Sequence, residues 1–387
     1  MMGRIFEEMK KRHEEMKEWF YALHRKPELA FEEEATSAFV AEKLKSWGYE
    51  VEEKVGRTGL VASMTLGDGQ KKLGLRADMD ALPIQEENDL EYKSQIPGKS
   101  HLCGHDGHVT MLLGAAKYLA DTRNFNGAIR LIFQPAEEIM GGSLAMIEDG
   151  LFERFPMDAV FAMHNMPGLK LGTFHFYEGE MMSAVDNWEI ELTGKGSHGS
   201  MPEKSIDPLV AGASLVMALQ TIVSRNIPAM NNSVLSVGAF QSGEAGNVIP
   251  ANAILRLSMR NIQAETRTLM LERIRAITKA QAECYNCKWE IREGTPGAVL
   301  VTDTEMTRYA MEVAEKTFGP ESVGTLKRPY MASEDFAFML QQRKGTYFSI
   351  GNGEDAQMPH NPGFIVNLDL LPYGAAYWAA LAEDYLK

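Results

Sequence analysis

Apolar side chains recur at helical spacing through Ile5, Met9, Met16, Phe20 and Leu23, and the pattern stops at Pro27. This spacing predicts an N-terminal helix. A second helix is expected over Glu34–Ser46, with Gly48 as its C-terminal stop. Val55–Leu66 reads as a strand, and the Gly67-Asp68-Gly69 turn leads into a second strand, Lys72–Met79. The small-residue run Val109–Ala120 predicts a helix, followed by a buried strand over Gly127–Phe133. Gly141-Gly142-Ser143 opens a helix to Glu148, and Asp158–His164 is a further strand. Strands alternating with helices point to an α/β layer structure.

The pattern changes near Asp186. Asn187–Thr193 is an alternating strand, Asp207–Arg225 a helix, and Ser233–Gln241 and Ala253–Arg260 are strands. Glu265–Cys284 is then a helix and Lys288–Arg292 a last strand. This order, β-α-β-β-α-β, is the split βαβ or ferredoxin-like plan. Alternation of helix and strand resumes with helix Thr304–Phe318 and strand Thr346–Ile350. The reading is therefore an α/β catalytic domain, residues 1–185 and 295–387, with a mixed sheet flanked by helices. It carries an inserted ferredoxin-like domain, residues 186–294.

A chain of 387 residues exceeds the usual size of a single core, which agrees with two domains. Its formal charge of -14 argues against nucleic acid or an anionic membrane as partner. No long uninterrupted apolar run suggests a membrane span, and residues 1–20 lack the apolar centre of a signal peptide. Three cysteines make a disulfide framework improbable, so a reducing, cytoplasmic setting is expected.

His101-Leu102-Cys103-Gly104-His105-Asp106-Gly107-His108 gathers three of the nine histidines and one cysteine. Cys103 and His105 lie two apart, so on extended backbone their side chains share a face. Thiolate and imidazole are ligands that zinc and its transition-metal neighbours favour. Further candidates lie at strand ends and in the loops after them: Glu137 and Glu138 in Gln134-Pro135-Ala136-Glu137-Glu138, His164 in His164-Asn165, and His360 in a proline-punctuated loop. Adjacent carboxylates on extended backbone point apart, so one can bind a metal while the other reaches a water. With one glutamate, Cys103, His105, His164 and His360 make five ligands, more than the three of a mononuclear catalytic zinc site. Five suit two metals about 3.5–4 Å apart sharing a water. In the inserted segment His198, in a glycine-rich loop, is a candidate donor to an oxyanion, Arg260 suits bidentate carboxylate recognition, and Asn247 is a further polar group of the same segment. Cys284-Tyr285-Asn286-Cys287, without a second pair, reads as a structural feature. His108 is expected to support or pack, and His101 to be a loop residue.

The ordered set Arg76-Ala77-Asp78-Met79-Asp80-Ala81-Leu82-Pro83, the histidine-rich octapeptide, Gln134–Glu138, His164-Asn165, Gly196-Ser197-His198, Asn247-Val248-Ile249-Pro250, Ser333-Glu334-Asp335-Phe336 and His360-Asn361-Pro362 spans the chain. It resembles the metal-dependent amidohydrolases of the hippurate hydrolase and N-acyl-amino-acid aminoacylase group, within the wider co-catalytic metallopeptidases. The resemblance implies Cys103, His105, Glu138, His164 and His360 as ligands of two divalent ions (Mn²⁺, Zn²⁺, Co²⁺ or Ni²⁺) and Glu137 as general base and acid acting on a bridging water. It assigns Asp78 to support of the metal site, His198 to the oxyanion in a neighbouring subunit, and Asn247 and Arg260 to the substrate carboxylate. It also implies an inserted lid that forms a homodimer, and hydrolysis of a small N-acyl amino acid. The segment Ser258-Met259-Arg260-Asn261, together with Leu102, Ile139 and Met140, departs from the group's usual residues, which bears on acyl preference. The alternatives are a dipeptidase or carboxypeptidase of the same superfamily, and a metal- or ligand-binding protein without catalysis.

Overall fold

The computed structural model describes residues 2–387 and divides into two compact units. The first runs to Gly179 and takes in Val301–Arg328 and Asp335–Lys387, while Glu180–Leu300 and Pro329–Glu334 form the second.

The first unit is built on an eight-stranded mixed sheet. Its order is Glu50–Val55, Gly59–Leu66, Gly127–Gln134, Lys72–Asp78, Ala159–Pro167, Lys344–Gly353, Phe174–Phe176 and Val323–Thr325. The four central strands, from Gly127–Gln134 to Lys344–Gly353, run parallel. Asp78 is paired with Gln134, and Ser349 with His164, so one edge of the sheet collects the strand ends that carry the polar motifs. Ligand sites of open α/β sheets form at such carboxyl ends. Helices His105–Thr122 and Leu371–Tyr385 pack together and against the strand Lys72–Asp78. Their residues Met111, Leu112, Tyr377, Trp378 and Leu381 join Leu75, Phe161 and Phe348 in one core.

Several elements differ from the periodicity reading. The N-terminal helix is two, Met2–Lys11 and His13–His24, because Arg12 leaves helical geometry (φ -94°, ψ 2°). Both still bury the expected face, Ile5 and Met9 in one and Met16, Phe20 and Leu23 in the other. The strand expected over Val55–Leu66 begins only at Gly59, and an antiparallel partner, Glu50–Val55, precedes it. Gly56 (φ 67°) and Arg57 (φ 78°) both adopt left-handed backbone and turn the chain. A side chain at Gly56 would lie 2.6 Å from Met146, so glycine is required there. The helix expected from Val109 starts four residues earlier, at His105. Its first turn is polar and carries no apolar periodicity.

The second unit has a four-stranded antiparallel sheet in the order Ser233–Gln241, Asn252–Asn261, Ala184–Thr193 and Lys288–Glu293. This is the strand order of the ferredoxin-like plan. Alternate residues Trp188, Ile190 and Leu192 face a core shared with Leu215 and Leu219 from one helix and Met270 and Ile274 from another. Pro at the first helical position and the Asp207 carboxylate, which accepts from the amides of Leu209 and Val210, start the helix Pro208–Leu219. The stretch Pro208–Arg225 is by length and composition apolar enough to cross a membrane. Here it is the outer layer of the sheet: Ala211, Leu215, Leu219 and Ile222 are buried, and Leu209, Val210 and Met217 face outward.

Candidate metal centre

Cys103 and His105 are not on extended backbone. Gly104 between them is left-handed (φ 94°), and a side chain there would lie 2.4 Å from the Asn165 amide. His105 is the first residue of the helix, so a tight turn, rather than strand alternation, aims Sγ and the imidazole into one place. His164 lies three residues before the end of its strand, which runs on to Pro167 rather than stopping at the histidine, and its Nε2 lies 3.3 Å from Cys103 Sγ. Nδ1 of His164 donates to the carbonyl of Asn165 (2.7 Å), so Nε2, the nitrogen that faces Cys103, is the one that carries the lone pair and can bind a metal. Glu138 sits 3.8 Å from His105 Nε2 through Oε1 and 3.3 Å from His360 Nε2 through Oε2. The amide of His360 donates to the Leu102 carbonyl (2.8 Å), which ties the His360 loop to the cysteine turn.

Ligand-capable atoms therefore converge in overlapping sets: Cys103, His105 and His164; Cys103, Glu138 and His360; and His105, Glu137 and Glu138, each within 4.8 Å. Nε2 of His105 and Oε1 of Glu138 are buried without a hydrogen-bond partner, while Nδ1 of His105 faces Asp80. Unpartnered buried groups of this kind are a deficit that a cation removes. The charge balance agrees. Burial alone would strip the His105 proton, but Asp78, Cys103 and Asp80 outweigh it and hold that proton far more tightly than usual. Burial, with Glu138 beside it, pushes the Cys103 thiol well up. The set is short of positive charge, and divalent ions compete with these protons for the same ligands. Sulfur and imidazole donors beside a carboxylate are a ligand set for a transition metal or zinc rather than for calcium or magnesium.

Behind these residues lies a hydrogen-bonded layer. Asp78 is fully buried, with Oδ2 2.8 Å from Arg76 Nη1 and Oδ1 2.6 Å from His108 Nδ1. Burial would raise the Asp78 pKa, but Arg76, His105 and His108 hold it well below the usual carboxylate range. His108 Nε2 accepts from the backbone amide of Asn165 (3.1 Å), and the Asn165 side chain donates to the Cys103 carbonyl (2.8 Å). Asp78 and His108 thus fix neighbours of the candidate ligands. Asp335 accepts from the Gln134 amide and from the Ser143 backbone, which ties the strand end to the helix after Glu138. Pattern reading did not single out Asp80, Asn165, Asp106 or His24. Asp80 Oδ1 accepts from the amide of Glu137 (3.0 Å) and Oδ2 from that of Glu138 (2.9 Å), and Oδ1 lies 3.3 Å from His105 Nδ1. Its only sequence signal is membership of the Arg76–Pro83 run.

His24 is buried against Asp106 (2.6 Å) and Glu86 (3.4 Å). His101, placed in a loop as expected, is nevertheless buried. Burial works against the His24 proton, but the bonds to Asp106 and Glu86 outweigh it and raise the pKa from 6.5 to about 9. A raised folded pKa stabilises fully below the unfolded value and stops doing so as pH rises through the folded one. The stability difference between the metal-free wild type and His24→Gln is therefore expected to shrink from about pH 6.5 to above about pH 9. Urea midpoints across that range measure it, and a pH-independent difference would show that His24 carries no proton there.

In the second unit His198 belongs to the two-residue strand Ser197–His198, which pairs antiparallel with Val248–Ile249, and the Gly199 amide donates to the Asn247 carbonyl (2.7 Å), so His198 and Asn247 are neighbours. His198 Nδ1 accepts from the Ser200 amide (3.2 Å), which leaves Nε2–H as an exposed donor. Arg260 lies apart on the strand Asn252–Asn261, and its Nη1 donates to the Met331 carbonyl (2.7 Å). Cys284 and Cys287 are unpaired thiols, the first exposed and the second buried.

The model of peptidase family M20/M25/M40 matches residues 74–384. The chain is 47% identical to a hippurate hydrolase of Campylobacter jejuni over 367 residues, 95% of each protein. It is 35% identical to an N-acetyl-L-cysteine deacetylase of Bacillus subtilis, over 89% of this chain and 82% of that protein. Among solved structures, the YxeP protein of Bacillus subtilis, described as a dinuclear metal binding peptidase of family M20, superposes with a TM-score of 0.83 at 30% identity, covering 97% and 99% of the two chains.

Proposed function

The chain belongs to peptidase family M20/M25/M40, and from that premise we propose that it hydrolyses the amide bond of N-acyl amino acids, hippurate-like compounds among them. The observation that carries this reading is the turn at Ala136–Gly141. It places Glu138 among the cysteine and histidine donors and Glu137 directly beside them. Cys103, His105, Glu138, His164 and His360 would hold two divalent ions. When bound, such ions polarise an amide carbonyl and lower the pKa of water. Glu137 takes the proton of the attacking water and returns it to the leaving amine nitrogen. His198, through Nε2–H, donates to the oxyanion, and Asn247 and Arg260 hold the substrate carboxylate.

The same reading makes the second unit a lid and dimerisation domain. In support, the strand Ser233–Gln241 is an edge of its sheet, and Leu209, Val210 and Met217 leave an apolar face on the helix nearby. A homodimer through these elements brings His198 to the partner's site. Three unpaired thiols agree with a cytoplasmic setting.

A panel of N-benzoyl and N-acetyl amino acids beside unblocked dipeptides, with mass detection of products, tests the reading. It is run on chelated protein and on protein reloaded with Mn²⁺, Co²⁺, Zn²⁺ or Ni²⁺. Turnover of N-acyl amino acids that vanishes on chelation and returns with one of these ions is expected. Turnover of dipeptides alone would transfer the chain to the peptidase reading, and indifference to chelator would remove the metals from it.

A further inference from the structure

Three successive backbone amides, those of Ala136, Glu137 and Glu138, each donate to a buried carboxylate. The last two reach Asp80. The first reaches Glu33 Oε1, 2.8 Å away and more than a hundred positions distant in sequence. Glu33 is fully buried, and its other oxygen accepts from the Thr58 hydroxyl. Two carboxylates from separate segments, Asp80 and Glu33, therefore accept from the three consecutive amides of one turn, and buried backbone amides need such acceptors.

Two features show that Glu33 serves this turn rather than its own helix. It occupies the N-cap of the helix Glu34–Ser46, where a side-chain acceptor ordinarily satisfies the first helical amides, yet it makes no such bond. Glu28 does that work, accepting from the amides of Ala35 (3.0 Å) and Thr36 (2.8 Å). The Ala136 that Glu33 holds is left-handed (φ 51°), a conformation that disfavours any residue with a Cβ and persists only where surroundings impose it. Thr58, in turn, is presented by the turn containing Gly56 and Arg57, both with positive φ. Relaxation of Ala136 would swing the two following residues, which are Glu137 and Glu138.

We infer that Glu33, oriented by Thr58, is a positioning residue that holds Ala136 left-handed and thereby aims the Glu137 carboxylate. The inference rests on the catalytic role given to Glu137 above. Burial, with Asp80 nearby, pushes the Glu33 carboxyl up to about 7. A neutral group with a carbonyl oxygen is therefore a fair substitute, and Glu33→Gln keeps the acceptor for Ala136.

The test compares Glu33→Ala, Glu33→Gln and Thr58→Val with wild type in the metal-loaded protein, using whichever N-acyl amino acid the wild type turns over. Amide hydrogen exchange of residues 134–142 is followed alongside. Glu33→Ala is expected to lower kcat by about 10- to 100-fold with KM within about threefold, the range that a small misplacement of a catalytic group produces. Exchange should quicken in 134–142 and not across the sheet, and Glu33→Gln should recover most of the loss. If Glu33→Ala fails to fold, Thr58→Val carries the same test, with a smaller fall in kcat and the same local exchange. Wild-type kcat and exchange in the alanine variant would overturn the inference. So would equal losses in Ala and Gln with faster exchange throughout the chain, which is the signature of a purely structural residue. The exchange measurement needs no turnover, so a wild type that hydrolyses no N-acyl amino acid defeats the functional reading alone.

Discussion

Replacing Glu137 by glutamine is expected to lower kcat by about 10³-fold or more while metal content stays at the wild-type level, because general acid–base transfer contributes roughly 10²–10⁴-fold and the proposed mechanism gives both transfers to this one carboxylate. The separation of the two effects follows from the turn. Glu137 is buried, and its backbone amide is held by Asp80 independently of its side chain. Glutamine has the same shape, so Glu138 keeps its place 3.8 Å from His105 and 3.3 Å from His360. What is lost, on the proposed mechanism, is the group that accepts and returns the proton. KM should move little, since no substrate-holding contact is assigned to this side chain. Steady-state kinetics with metal analysis of the same preparations measures both. A variant within about tenfold of wild type would assign proton transfer to another group.

Alternation of apolar and polar positions made the strands of the inserted β-α-β-β-α-β segment legible, because they bury one face at a fixed period, while the central strands, buried on both faces, showed as short continuous apolar runs. Legibility failed where burial or polarity removed the period. The helix Leu371–Tyr385 gave no periodic signal since Ala375, Tyr377, Trp378, Ala380 and Leu381 are buried on all sides. The start of the helix at His105 was hidden by the polar turn His105-Asp106-Gly107-His108, whose burial depends on Asp78, Asn165 and His24 from distant segments. The neighbourhood of Cys103 and His105 was readable from their spacing, but its cause was not. Left-handed Gly104 and a helix start bring the two together, where extended backbone had been assumed. The residues behind the ligands were the least legible. Nothing in Arg76-Ala77-Asp78-Met79-Asp80 marks Asp78 for a histidine ring and Asp80 for two backbone amides. That division arises from the sheet register and from the turn at Ala136, both long-range.

Replacing Asp80 by alanine is expected to weaken metal binding by about 10- to 100-fold, the usual effect of removing a partner that orients ligands, and to lower kcat of the reloaded protein as well. The two losses come together because one carboxylate serves three groups. Oδ1 holds the Glu137 amide and stands 3.3 Å from His105 Nδ1, and Oδ2 holds the Glu138 amide. Without it two buried amides lose their acceptor, and an unpaired buried amide destabilises by about 1–3 kcal/mol. The turn then rearranges to find other partners, which moves the base and a ligand at once. Asparagine should fall between alanine and wild type, since it keeps one acceptor oxygen but sets its amide hydrogens against a backbone N–H. The contrast with Glu137→Gln separates the roles: one variant loses turnover with metals in place, the other loses both. Chelator competition for affinity and kinetics at saturating metal measure the two quantities separately. If saturating metal restores Asp80→Ala to full turnover, Asp80 holds His105 and Glu138 but does not aim Glu137, and the left-handed turn at Ala136 holds the base without it.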